Sequence, residues 1–106
     1  MSESQLVTAI LALAKLFPDV RLYRNNNGGR GRVRYGLQNA EFKTGSPDVV
    51  GIVASRFVGL EAKEPGKNAT PEQEDFMADI RAAGGYTAVV RSVRDALEAI
   101  QEAREV

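Results

Sequence analysis

The sequence contains no cysteine, no histidine and no tryptophan. Without cysteine there are no disulfides and no thiolate metal sites. Without histidine, Ser-His-Asp and Cys-His catalysis are excluded, and so are imidazole-bound zinc sites. Any bound metal must be held by oxygen, which favours Mg²⁺ or Mn²⁺ over zinc or copper. No apolar run approaches the roughly 18 residues of a membrane-spanning helix. The N-terminus has no basic segment followed by an apolar stretch and a cleavage site, so secretion is not indicated and an intracellular (cytoplasmic) location is expected. The 106 residues predict one domain over 1–106, with 43% hydrophobic and 26% charged residues as in ordinary globular proteins.

The formal net charge is zero, but the charge is unevenly spread. Between Val20 and Lys43 stand six cations (Arg21, Arg24, Arg30, Arg32, Arg34 and Lys43) against one anion, Glu41, a local net of +5. Such asymmetry suggests a surface for a polyanion. Tyr23 and Tyr35 are interleaved with these cations, a composition suited to a groove that tracks phosphates. A solvated basic loop is the bland alternative.

Periodicity sets out the elements. Leu6, Ile10, Leu13 and Phe17 form a stripe of helical period, so a helix is expected from about Ser4 to Phe17, capped by Ser2 or Ser4 and ended by Pro18-Asp19. Val20 to Arg24 alternates as a half-buried strand does. Asn25-Asn26-Asn27-Gly28-Gly29 reads as a turn. Arg30 to Phe42 reads either as a strand or as an irregular basic arm. After the turn Lys43–Pro47, the run Val49–Ala54 predicts a buried strand. Ser55-Arg56 then makes a tight connection to a strand over Phe57–Lys63, closing a hairpin. Thr70, Pro71 and Gln73 predict a capped helix with apolar face Phe76, Met77, Ile80 and Ala83, closed by Gly84-Gly85. Tyr86–Arg91 is a further strand. Ser92 with Asp95 starts a last helix, bearing Val93, Leu97 and Ile100. The order α-β-(β)-β-β-α-β-α contains a β-α-β unit, so the fold class is α/β with a mixed central sheet flanked by helices.

The chemistry-bearing residues gather on the hairpin. Glu61 and Lys63 are two apart on one strand and share a face. Pairing about Ser55 brings Asp48, at the start of the preceding strand, opposite residue 62 or its neighbour. Two carboxylates, the Ala62 carbonyl and an ammonium then meet. Such a group suits metal-assisted phosphodiester hydrolysis, with a hard cation held by oxygens and a water activated beside it. Lys63 either offsets phosphate charge or holds or deprotonates that water. Against this stands the ordinary reading of Glu-x-Lys as a solvated strand edge and of Pro-Asp as a turn.

Ser46-Pro47-Asp48 followed by Glu61-Ala62-Lys63 resembles the signature of the PD-(D/E)XK nucleases. The wider pattern resembles their VRR-NUC (virus-type replication-repair nuclease) branch. It comprises an N-terminal helix with an early Glu, Tyr23-Arg24-Asn25-Asn26, Gly45-Ser46-Pro47-Asp48, the Glu-x-Lys strand, Thr70-Pro71-Glu72-Gln73, Ala82-Ala83-Gly84-Gly85 and Val89-Val90-Arg91-Ser92-Val93. The resemblance implies a restriction-endonuclease-like fold and a Mg²⁺- or Mn²⁺-dependent DNA endonuclease. It implies Asp48, Glu61 and the Ala62 carbonyl as metal ligands, Glu3 as a further ligand from the first helix, and Lys63 as the catalytic lysine. Gln73 matches a helix glutamine near the active site, its other reading being the capping box alone. Small stand-alone members imply a homodimer acting on structured or branched DNA. Arg24, Arg30, Arg32, Arg34, Lys43 and Lys67 are the candidate DNA contacts. The competing readings are a nuclease-fold module that binds DNA or protein without cutting, and a subunit active only inside a larger assembly.

Overall fold

A computed structural model describes residues 1–25 and 44–105. The ambiguous stretch 30–42 lies outside them, as do Arg30, Arg32, Arg34 and Lys43.

The first helix, α1 (Glu3–Ala14), starts where two side chains reciprocate. Ser2 Oγ accepts from the Gln5 N–H at 3.1 Å and Gln5 Oε1 accepts from the Ser2 N–H at 2.8 Å. This satisfies two of the orphan donors of a helix start. The helix ends three residues before the expected Phe17. Leu16 and Phe17 instead donate to Leu13 and Ala14, three residues back, in tighter turns. Phe17 still packs on the core. It also carries the Arg104 guanidinium 4.9 Å above its ring. Arg104 in turn donates twice to Asp19 at 2.8 Å, tying the chain's last helix to the turn before the first strand. That pairing holds the Asp19 carboxyl below its ordinary value.

Strands β1 (Val20–Arg24), β2 (Val49–Val53), β3 (Arg56–Ala62) and β4 (Tyr86–Val90) form one sheet in the order β1-β2-β3-β4. β1 and β2 pair antiparallel, β2 and β3 antiparallel, β3 and β4 parallel. The β2–β3 turn is Ala54-Ser55, one residue earlier than expected. Both residues take positive φ, 47° and 73°, the two-residue geometry that matches the twist of a hairpin. Arg56 therefore opens β3, opposite Val53. Helices α2 (Pro71–Ala82) and α3 (Val93–Arg104) follow β3 and β4.

One face of the sheet carries the core. Leu6, Val7, Ile10 and Ala14 of α1 meet Val20, Leu22, Val49, Val53, Val58, Leu60, Ala62 and Val90 of the sheet and Ala96, Ala99, Ile100 and Ala103 of α3. On the opposite face α2 packs against β3 and β4. β3 is consequently buried on both sides from Val58 to Ala62. β2 is not, although its β-branched run predicts a fully buried strand. Its second face is not covered by α2, and Ile52 is 42% exposed there. Among the described residues no helix is long and apolar enough to cross a membrane.

Candidate active site

The site lies where β2 begins and β3 ends, under the N-terminus of α2. Val49 pairs with Leu60, so continuing the register sets Asp48 beside Glu61, within the margin expected from the hairpin. The Asp48 side chain then fixes itself to the neighbouring strand. Its Oδ2 accepts from the Ala62 N–H at 3.0 Å. The next N–H along, Lys63, points the other way and donates to Val90 of β4 at 3.0 Å. The N–H and C=O of one extended residue point to the same side of a strand. The Ala62 carbonyl therefore leaves β3 on the same side as the N–H from which Asp48 accepts.

Glu61 departs most from a solvated strand edge. It is 1% exposed. Gln73 Nε2 donates to its Oε1 at 3.0 Å, while its Oε2 is buried with no hydrogen-bond partner. Burial pushes the carboxyl up to about 9, helped by the negative charge and hydrogen-bonding proximity of Asp48, and opposed by Lys63. Glu3, half-buried at the first position of α1, raises it further, with a weaker influence than Asp48 or Lys63. Two carboxyls so close, one of them dry, cannot both ionise without a compensating positive charge. Among the described residues no three acidic side chains gather into a metal-binding group. The close carboxylates are the pair Asp48 and Glu61.

Gln73 makes two sets of contacts. Its Oε1 accepts from the Thr70 N–H at 2.8 Å and its N–H donates to Thr70 Oγ1 at 3.2 Å, which is the capping box. The other end of the same amide, Nε2, is the Glu61 donor. The start of α2 thus orients a carboxylate on β3. Gly45 permits this closeness. Its φ is +92°, and a Cβ there would lie 2.6 Å from the Glu72 carbonyl carbon and 2.8 Å from the Gln73 nitrogen. The turn that carries Asp48 therefore rests on the backbone of α2's first turn.

Of the candidate DNA contacts within the described residues, Arg24 is exposed at the end of β1, with its Nη2 bonded to Thr8 of α1 at 3.0 Å. Lys67 is exposed on the β3–α2 loop, whose main chain Arg91 holds through the Lys67 carbonyl at 2.8 Å. Asn25 was read from the sequence as a turn former and as part of the Tyr23-Arg24-Asn25-Asn26 stretch, with no role assigned at the site. It is buried (6% exposed) and reaches 21 and 22 residues along the chain, donating from Nδ2 to Ser46 Oγ at 2.9 Å and to the Pro47 carbonyl at 2.8 Å. A run of asparagines leading into a glycine pair advertises a turn, and nothing local marks so distant a contact.

The arrangement defines a class: an α/β domain in which the described residues form a four-stranded mixed sheet flanked by three helices, with two carboxylates and a lysine at the β2–β3 pair. This is the α/β mixed-sheet class expected from the sequence. Among solved structures, one similar to this chain is titled "VRR_NUC domain protein", with a TM-score of 0.64 and 18% identity over 97% of this chain and 88% of that one. The fold is therefore VRR_NUC-like. No family model and no curated protein matches the sequence.

Proposed function

We propose that the chain is a divalent-metal-dependent endonuclease that hydrolyses phosphodiester bonds in DNA. The observation that carries this reading is the buried Glu61 carboxyl, with one oxygen held by Gln73, the other without a donor, and Asp48 beside it. Such a pair stores unfavourable electrostatics that a cation relieves. The donors are all hard oxygens, from Asp48, Glu61 and the Ala62 carbonyl, so the residues fit Mg²⁺ or Mn²⁺. Glu3 would add negative charge from α1. An ion held there would supply Lewis acidity for activating water and offsetting phosphate charge.

The protein's own groups divide the remaining work. Gln73 keeps Glu61 in one orientation. The Ala62 N–H keeps Asp48 in reach of it. Lys63 stands close enough to Glu61 to oppose its protonation, and its ammonium would meet the phosphate or the attacking water. Arg24 and Lys67, with Arg30, Arg32, Arg34 and Lys43, would contact the DNA backbone, which gives affinity without reading sequence. Structured or branched duplex is the substrate class that fits a small protein acting as a homodimer, with one site for each of two strands.

The test is cleavage of a four-way junction, a flap and a linear duplex with Mn²⁺, Mg²⁺ or EDTA. Asp48→Asn, Glu61→Gln and Lys63→Ala should each lower cleavage by orders of magnitude while DNA binding persists. Undiminished cleavage by Glu61→Gln and Lys63→Ala would end the assignment. Salt-sensitive binding with no metal-dependent cleavage would favour a binding module instead. Light scattering that shows only monomer at micromolar concentration would remove the dimer.

A further inference from the structure

We propose that Asn25 is a positioning residue that aims the Asp48 carboxylate at the cation, an inference that rests on the metal-dependent reading above. Asn25 follows the last residue of β1 and grips the Asp48 backbone from both sides. Its Nδ2 donates to the carbonyl of Pro47 at 2.8 Å, on the peptide group preceding the Asp48 Cα. Its main-chain N–H donates to the Asp48 carbonyl at 2.8 Å, on the peptide group that follows. Holding both flanking peptide planes fixes φ and ψ of Asp48, and with them the direction in which its side chain leaves the chain. The Ala62 N–H then catches the far end at Oδ2.

The amide orientation of Asn25 is set by chemistry. A carbonyl oxygen only accepts, so the group facing Pro47 must be the NH₂. The same NH₂ reaches Ser46 Oγ at 2.9 Å. Pro47 has no N–H with which to anchor the turn by itself. Asn25 is buried at the turn and does not need to touch substrate to act. It works through Asp48, as the outer partners of metal ligands do.

The experiment measures Mn²⁺ binding by calorimetry, well below the unfolding transition, for wild type, Asn25→Ala, Asn25→Asp and Asp48→Asn. Arg104→Ala serves as the control for general destabilisation, because it breaks the Asp19 pairing far along the fold. Both Asn25 variants should bind Mn²⁺ about 10–100-fold more weakly, with DNA affinity in EDTA unchanged. Arg104→Ala should bind as wild type does. Asn25→Asp is nearly isosteric and sets an oxygen against the Pro47 carbonyl, so it should be at least as impaired as Asn25→Ala. If Asn25→Ala does not fold, Asn25→Asp carries the test. Tight Mn²⁺ binding by either Asn25 variant, with Asp48→Asn inactive in binding, would overturn the role of Asn25 alone. No Mn²⁺ binding by wild type would overturn the metal-dependent reading and this inference with it.

Discussion

Replacing Glu61 by Gln should stabilise the metal-free protein above neutral pH while destroying its response to divalent cations. In the folded chain the Glu61 carboxyl is pushed up to about 9, against an ordinary 4.5. The unfolded chain releases this proton near 4.5, and the folded chain keeps it to about 9. Folding between those limits takes up a proton, so the Glu61 contribution to stability is fully present below about pH 4.5 and is lost as pH rises towards 9. The slope has a ceiling of ~1.4 kcal/mol per pH unit. From pH 5 to pH 8 this gives at most ~4 kcal/mol, a large part of the ~5–15 kcal/mol that holds an ordinary domain together. Gln cannot ionise, so the variant lacks this slope. Asp19, whose carboxyl is held below its ordinary value by Arg104, contributes stability of the opposite pH dependence. It is common to both proteins and cancels in their difference. The assay is urea unfolding in EDTA at pH 5, 6.5 and 8, repeated with Mn²⁺. Wild type should weaken with pH relative to Glu61→Gln, and Mn²⁺ should restore it, since a ligand that binds only the folded state stabilises that state. Parallel stability curves for the two proteins in EDTA would refute the claim that Glu61 is buried without compensation. An equal Mn²⁺ effect on both would remove Glu61 from the cation site.

The role of Gln73 separates from capping by comparing two variants. Thr70→Ala and Gln73→Ala each break the capping box and should each cost about 1 kcal/mol in urea unfolding, but only Gln73→Ala should reduce cleavage, by about 10–100-fold. Equal losses of cleavage would show that the helix start, and not the Gln73–Glu61 bond, matters. Gly45→Ala combines a left-handed backbone, φ +92°, with a Cβ 2.6 Å from the Glu72 carbonyl carbon. It should cost at least ~2 kcal/mol and shift the Asp48 turn enough to depress cleavage, whereas wild-type stability would mean the turn does not rest on α2 as described. Ile10→Ala, in a side chain wholly enclosed between α1 and the sheet, should cost ~2–5 kcal/mol in the same assay and leave Mn²⁺ affinity in the folded protein unchanged.

What the sequence disclosed and what it concealed divide along the range of the interactions. Thr70-Pro71-x-Gln73 marks the start of α2 because a capping box is made by residues three apart. The β2–β3 hairpin was visible as two apolar runs about a short break. Its turn was displaced by one residue because Ala54 and Ser55, with positive φ, carry no Asn-Gly signal. The end of α1 was overrun because the apolar stripe continues to Phe17. Periodicity alone does not distinguish a last helical turn from the tighter turns seen there. Asp48, Glu61 and Lys63 could be named from spacing, but the burial of Glu61 could not. A Glu-x-Lys strand looks half-solvated until the β-α-β unit lays α2 across β3, and only then does Gln73 find Glu61 twelve residues back.

Asn25 makes the same point from the other side. Its neighbours, two more asparagines and two glycines in a row, declare a turn so strongly that they hide its second use. The contacts that place Asp48 come from β1 through Asn25 and from β3 through Ala62, and both exist only once β2 lies between those strands. The proposed site is thus assembled by sheet order. Asp48 immediately precedes β2, and the two neighbouring strands supply the groups that hold that carboxylate against Glu61. A fold that brings two carboxyls together in a dry place loses stability in the absence of a cation. Under the proposed metal-dependent function the same juxtaposition would make a cation a folding partner as well as a reagent, so unfolding measurements with and without Mn²⁺ interrogate the site independently of any DNA substrate.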